Sequence, residues 1–206
     1  MLEWYRTRSD YHSLMDECED LILELAQASR HSDSVTLQGA KISLEKPWER
    51  LSVADAFDQY GSIPAMQALE QNIFDEVLSR DIEPQLGIKK PVFLYDYPAA
   101  LCALARKKKE DPALAERFEI YIAVVEIANG FSELTNANEQ RQRFEQELKR
   151  IENQGLPVGR MPEKFLETLP NMPEAAGIAL GVDRLAMVLW GAETIDDVVT
   201  FVPEDL

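Results

Sequence analysis

Residues 117–134 constrain this chain more than any other stretch. They read as β-structure throughout, and Asn136 follows at once as the N-cap of a long amphipathic helix to about residue 153. A second strand-to-helix junction lies near the end of the sequence. There the apolar strand 177–181 runs directly into a helix over 182–190 that Gly191 stops. The remaining segments are equally mixed. Residues 1–6 read as a strand. Ser9 or Asp10 caps a helix to about residue 29, whose apolar face is Tyr11, Leu14, Met15, Cys18, Leu21, Ile22 and Leu25. Its acidic residues Asp16, Glu17, Glu19, Asp20 and Glu24 lie mostly elsewhere, as a solvated or docking face. Residues 35–37 and 41–44 form a hairpin around Gly39. Ser52 caps a helix to residue 60, and Pro64 begins another through 79. Residues 91–97 are a strand, 99–109 a helix ending in a basic run, and the four-proline stretch 157–173 a loop around a short helix. Strands and helices alternate without regular βαβ units, which predicts an α+β fold with a mainly antiparallel sheet flanked by helices.

Charge excludes one class of function for the whole surface. The 37 acidic residues outnumber the 21 basic ones, a formal net charge of −16. A chain that grips nucleic acid over its whole surface shows the opposite sign, although a small basic pocket for phosphates remains compatible. Hydrophobic residues at 46% and charged residues at 28% are ordinary for a globular domain. Cys18 and Cys102 stand outside any CxxC and read as buried free thiols, and His12 and His31 are too few for a zinc site. No GxSxG turn is present. The apolar run 177–192 is interrupted by Asp183 and Arg184 and too short to span a membrane, and no secretory signal opens the chain. The expected compartment is the cytoplasm, with no membrane partner.

Three constellations can carry chemistry. Glu119 and Glu126 lie seven residues apart in the β-rich stretch. A reversal at residues 122–123 would make them cross-strand partners, and two facing carboxylates repel unless a cation lies between them. Surface glutamates are the plainer reading of the same pair. Asn129, Phe131 and Glu133 alternate, so one strand face carries an amide, a ring and a carboxylate. That set suits an aminoalkyl ligand, with Glu133 on the ammonium and Phe131 along the alkyl chain; an ordinary half-exposed strand has the same pattern. Glu126 is out of phase with Asn129, which predicts a bulge near Gly130. Finally, Gly181 ends a strand where a helix begins, and Asp183 and Arg184 lie in its first turn. Free N–H groups, the helix dipole and an arginine together suit phosphate, whereas Asp183 could equally cap the helix or pair with Arg184.

Taken together, MLEWY at 1–5, PVFLYDYP at 91–98, ERFEIY at 116–121, EIANGFSELTNANEQRQRF at 126–144 and GIALGVDRLAMVLWGAETIDDVVTF at 177–201 carry a resemblance over essentially the whole chain. The chain resembles the class II lysyl-tRNA synthetases, and more closely their shortened paralogues that lysylate elongation factor P. The resemblance implies that Glu3, Tyr5, Asn129, Phe131 and Glu133 hold the lysine substrate. It implies that Glu119 and Glu126 bind Mg²⁺ and ATP, and that Arg184 contacts the ATP triphosphate with Gly181 and Asp183 shaping the turn. Ala179 stands where synthetases usually have glycine, which reshapes the amino-acid pocket and favours the paralogue; Ser132 is more synthetase-like.

The same resemblance makes residues 1–206 a partial class II catalytic domain, from the second strand of motif 2 through motif 3, incomplete at the N-terminus. Motif 1, most of motif 2 and the anticodon-binding module would precede the first residue, as if by a misassigned start, a gene fragment or a trimmed chain. Motif 2 carries an arginine for the α-phosphate, and one such contact is commonly worth several kcal/mol of barrier. Weak or absent adenylation is therefore expected of these residues alone, and a homodimer weakened by the missing motif 1. The implied activity is ATP-dependent formation of a lysyl- or β-lysyl-adenylate and transfer to a lysine of elongation factor P. The alternatives are transfer to tRNA, or a non-catalytic remnant that binds lysine and ATP.

Overall fold

A computed structural model describes residues 1–37, 39–102 and 104–202. Its frame is a six-stranded sheet in the order β1-β8-β7-β6-β5-β4, where β1 is Leu2–Thr7, β4 Glu49–Ser52, β5 Val92–Pro98, β6 Leu114–Ile122, β7 Val125–Ser132 and β8 Ala175–Leu180. Every pairing is antiparallel except β4 with β5. The α+β expectation therefore holds. The hairpin forms as β2 (Ser34–Leu37) and β3 (Ala40–Ser43).

One sheet face is sealed by α1 (Tyr11–Arg30) and α7 (Val182–Trp190). Leu14, Met15, Cys18 and Ile22 of α1 are fully buried, in one core with Phe93, Phe118, Ile120 and Ile178 of the sheet and Leu185 and Val188 of α7. Asp10 caps α1, its side chain accepting the Ser13 N–H. The apolar stripe drifts from the expected positions: Ala26 is buried, whereas Leu25 is exposed. Glu19 is buried because its Oε1 accepts the Trp48 N–H at 3.1 Å. Apart from Glu19, the acidic residues form a largely solvated face, with Asp16, Asp20 and Glu24 exposed. Asp16, Glu17 and Asp20 pair with Arg50, Arg6 and Lys46, bracing α1 against the rest of the fold.

A second core lies at the β4–β5 end, under α2 (Val53–Tyr60), α3 (Ala65–Glu70) and α4 (Phe74–Val77). Phe57 and Phe74 stack there with ring centroids 4.7 Å apart. The single helix expected over 64–79 is instead α3, a break with Asn72 at φ 56°, and α4 running into a π-turn. α5 (Ala137–Asn153) is capped by Asn136, which accepts the N–H of Asn138 and Glu139, and α6 is Glu163–Thr168. Cys18 and Cys102 are both free and buried, as expected. No helix among the described residues is long and apolar enough to cross a membrane.

The long helix expected over 99–109 does not form among the described residues. A short 3₁₀ turn forms at Ala99–Leu101, and residues 104–109 carry isolated bridges from Ala105 to Glu133 and from Lys107 to Ala115. Three of the four basic side chains find an acid: Arg106 meets Glu116, Lys107 meets Glu139 and Lys108 meets Asp96. Those tertiary ion pairs and the backbone bond from Arg106 N–H to the Ser132 carbonyl outweigh a helical propensity that is only a weak prior.

Candidate functional site

The uncovered part of the other sheet face holds the site, and strand register explains which residues share it. Glu3 pairs with Ala179, Ala179 with Asn129, and Asn129 with Glu119. Tyr5 pairs with Gly177, Gly177 with Phe131, and Phe131 with Arg117. Paired residues point to the same face, so these two rows lie side by side, with Glu133 one alternation beyond Phe131. A cavity of about 530 Å³ opens over them, and Glu3, Tyr5, Asn129, Phe131, Glu133 and Ala179 all line it. The structure thus brings together all six residues expected to meet the amino acid.

The hairpin register differs from expectation. The β6–β7 turn is Ala123–Val124, both at positive φ, not residues 122–123. Glu119 therefore faces Asn129 rather than Glu126, which pairs with Tyr121. The bulge lies at Ile127, between the Tyr121–Glu126 and Ile120–Ala128 pairs, and not at Gly130. That extra residue brings Glu126 into phase with Asn129, so Glu119, Glu126 and Asn129 share one face after all.

Glu133 occupies an unusual position for a carboxylate. Its side chain makes no hydrogen bond or ion pair among the described residues, and burial pushes its pKa up to about 7 from 4.5. It lies over Gly177: a Cβ on that glycine would come 2.6 Å from Glu133 Oε1 and 2.6 Å from the Tyr5 ring. Tyr5 feels the same environment, its pKa raised by burial and by the charges of Glu133 and Glu3. Gly177→Ala is expected to push both side chains aside and weaken amino-acid binding about tenfold or more. Gly181 is a contrast. Its φ is −77° and a Cβ would meet nothing closer than 3.6 Å, so Gly181→Ala should leave both fold and binding near wild type. Calorimetry on the two variants checks both expectations.

Glu119 is a hub. Its Oε2 accepts the hydroxyls of Tyr97 at 2.6 Å and Tyr121 at 2.8 Å; its Oε1 accepts Arg117 Nη2 at 2.5 Å and Asn129 Nδ2 at 3.2 Å. Arg117 also donates from Nε to Asn129 Oδ1 at 3.2 Å and stacks over Tyr97 at 4.3 Å. The Asn129 amide is therefore oriented from both ends. Arg117, Tyr97 and Tyr121 were not singled out from sequence, although Arg117 and Glu119 share a face by simple alternation.

Glu126 is half-buried, with its pKa raised by burial and by the charge of Glu119. Arg184 Nη1 donates to its backbone carbonyl at 2.9 Å and to its Oε2 at 3.1 Å. Arg184 extends from the first turn of α7, whose N-cap Gly181 offers no side-chain cap, so the helix leaves free N–H groups beside this arginine. Asp183 is exposed in the same turn; the helix has no side-chain cap, and Arg184 pairs with Glu126 rather than with Asp183. A divalent cation suits the excess negative charge between Glu119 and Glu126. Glu126 fits as a direct ligand through its free oxygen. Glu119 has both oxygens filled by four donors and must release one to bind a cation directly. No group of three or more His, Cys, Asp or Glu that could hold a metal occurs among the described residues. Ser132 lies outside the pocket: its buried hydroxyl accepts the Tyr11 N–H at 3.1 Å, so it bears on α1 and not on the amino acid.

A mostly antiparallel sheet with its cavity on one face, closed by a strand that runs into an arginine-bearing helix, is the frame of a class II synthetase. The chain belongs to that family: the class II tRNA synthetases (D, K and N) match residues 1–205. Among curated proteins it is similar to the elongation factor P–(R)-beta-lysine ligases of Photorhabdus laumondii, 39% identical over 210 residues, and of Proteus mirabilis, 39% over 208. It is also similar to that of Avibacterium paragallinarum, 37% over 222 residues. Each comparison covers 98% of this chain and 64% of the relative, so the chain spans about 64% of the length of these proteins.

Proposed function

We propose that this sheet face binds lysine or β-lysine beside ATP, as the amino-acid-activating part of a ligase that charges a lysine of elongation factor P. Glu133 carries the reading: a carboxylate without a counter-charge at one end of an apolar cavity calls for a cationic ligand group. Along β7 and one residue past its end, the order Glu126, Asn129, Phe131, Glu133 suits an amino acid laid parallel to the strand. Its ammonium lies at Glu133, its alkyl chain along Phe131, and its head group near Asn129, Glu3, Tyr5 and Ala179. The carboxylate end then points toward Glu126 and Arg184, where ATP would bind. The names of the relatives support the lysine and the acceptor protein.

In this reading the amino-acid carboxylate attacks the α-phosphorus of ATP in line, pyrophosphate leaves, and an aminoacyl-adenylate forms. The acceptor ε-amine then takes the acyl group and AMP departs. Mg²⁺, held through Glu126 and Glu119, would neutralise phosphate charge. Arg184 exchanges Glu126 for phosphate oxygens, and the free N–H groups of α7 add to the positive field. Catalysis is by positioning and electrostatics, with no covalent enzyme intermediate. The acidic net charge of −16 weighs against tRNA as acceptor.

Calorimetry with α-lysine and (R)-β-lysine, together with ATP–pyrophosphate exchange, tests the proposal. One isomer should bind, and Arg184→Ala should weaken ATP about tenfold while leaving that binding unchanged. A folded chain that binds neither isomer would overturn the reading. Tight tRNA binding at physiological salt would move the acceptor to tRNA.

A further inference from the structure

We propose that Arg143 is the latch of the cavity's outer wall, and so a positioning residue for the amino acid. The inference rests on the reading of the cavity as an amino-acid pocket. The floor of that cavity is the sheet. The wall facing it is Leu101, Cys102, Leu104 and Ala105, residues with almost no regular secondary structure. The C-terminal side of this wall is tied to the end of β7, where Arg106 N–H donates to the Ser132 carbonyl and Leu134 N–H to the Leu104 carbonyl. Around Cys102 the ties come from elsewhere. Its N–H closes the 3₁₀ turn on Ala99 at 3.2 Å, and its carbonyl accepts Arg143 Nη1 at 2.5 Å. The same Nη1 reaches the Ala105 carbonyl at 2.8 Å.

Arg143 is itself held in place. Its Nη2 donates at 2.7 Å to Glu139, one helical turn back on α5, and Glu139 also pairs with Lys107 at 3.3 Å. One carboxylate and one guanidinium on α5 thus grip the segment 102–107 at both ends. This accounts for part of the basic run that the sequence left without a role. α5 begins only four residues after Glu133, so the helix that latches the wall is the direct continuation of the strand that forms the floor. Bonds from a charged donor to carbonyls are the stronger kind, and the Cys102 end of the wall, which has no strand bridge, depends on them.

Cys102 reports on the latch. Both thiols are shut away in the folded chain, Cys18 fully in the α1 core and Cys102 in the wall. In Arg143→Gln, maleimide labelling of Cys102 should accelerate about tenfold, located by peptide mass, with Cys18 still unreactive. Lysine affinity should fall about tenfold with ATP affinity unchanged, and Arg143→Lys should restore part of both. A folded Arg143→Gln chain labelled at the wild-type rate would overturn the latch. If that variant does not fold, Glu139→Gln serves instead: it loosens Arg143 from behind and should accelerate labelling about threefold, and a wild-type rate there overturns the latch equally. Labelling needs no ligand, so it separates the two ideas. Faster labelling in a chain that never binds lysine keeps the latch and removes the amino acid.

Discussion

Lysine is expected to bind this chain more tightly as pH rises through about 7, and Glu133→Gln is expected to flatten that dependence while weakening binding about 100-fold. Both effects follow from one desolvated carboxylate. Glu133 titrates near 7 in the folded chain rather than at 4.5 because burial disfavours its charge. The lysine ammonium keeps its proton far above this range, so the dependence belongs to the protein. Below pH 7 the site is mostly neutral and has little to offer a cation. Above it the carboxylate is charged, and the ammonium supplies the missing partner. The sign for the free protein is opposite. Between about 4.5 and 7 the folded state holds a proton that the unfolded state has lost, so stability falls as pH rises through that window. Glu126, also raised, acts in the same direction. Lysine should therefore raise the melting temperature more at pH 8 than at pH 5.5. A lysine affinity that is flat with pH in the wild-type chain would remove Glu133 as the ammonium partner.

Glu119→Ala is expected to lose about 4 kcal/mol of stability and roughly 10 °C of melting temperature. Glu119 is 7% exposed and accepts four hydrogen bonds. Its removal leaves the partly buried Arg117 without its carboxylate partner and the Tyr97 hydroxyl without its acceptor, leaves Tyr121 only its bond to Glu83, and takes away one of the two bonds that orient the Asn129 amide. Glu126→Gln makes the comparison that separates structure from cation binding. Glu126 is only half-buried and is repelled by Glu119, so neutralising it should leave the melting temperature unchanged or slightly higher. Mg²⁺-dependent ATP binding should still weaken. Thermal melts and nucleotide titrations with and without Mg²⁺ read the two effects. If Glu119→Ala melts within about 2 °C of wild type, the four-donor hub does not hold the sheet as described; if Glu126→Gln binds Mg²⁺–ATP normally, the cation lies elsewhere.

The sequence by itself determined the elements with strong local signals. Asp10, Ser52 and Asn136 cap their helices where side-chain capping predicts, and Gly191 takes the left-handed C-cap of α7. Alternation placed Asn129, Phe131 and Glu133 on one face, because strand periodicity is a local property. The family resemblance added Glu3, Tyr5 and Ala179, residues far from β7 in the chain. Their meeting with it comes from the β1–β8–β7 register alone.

Only the tertiary structure decided the rest. Ala123 and Val124 are not turn formers. They adopt positive φ because their N–H groups donate to the carbonyls of Gly87 and Leu86, far back in the sequence. That turn, with the bulge at Ile127, set Glu119 opposite Asn129 and returned Glu126 to the same face. Residues 104–109 are not helical because ion pairs to Asp96, Glu116 and Glu139 and bridges to Ala115 and Glu133 hold them. In each case long-range hydrogen bonds and charges, each worth about 1 kcal/mol or more, outweighed local preferences of a few tenths.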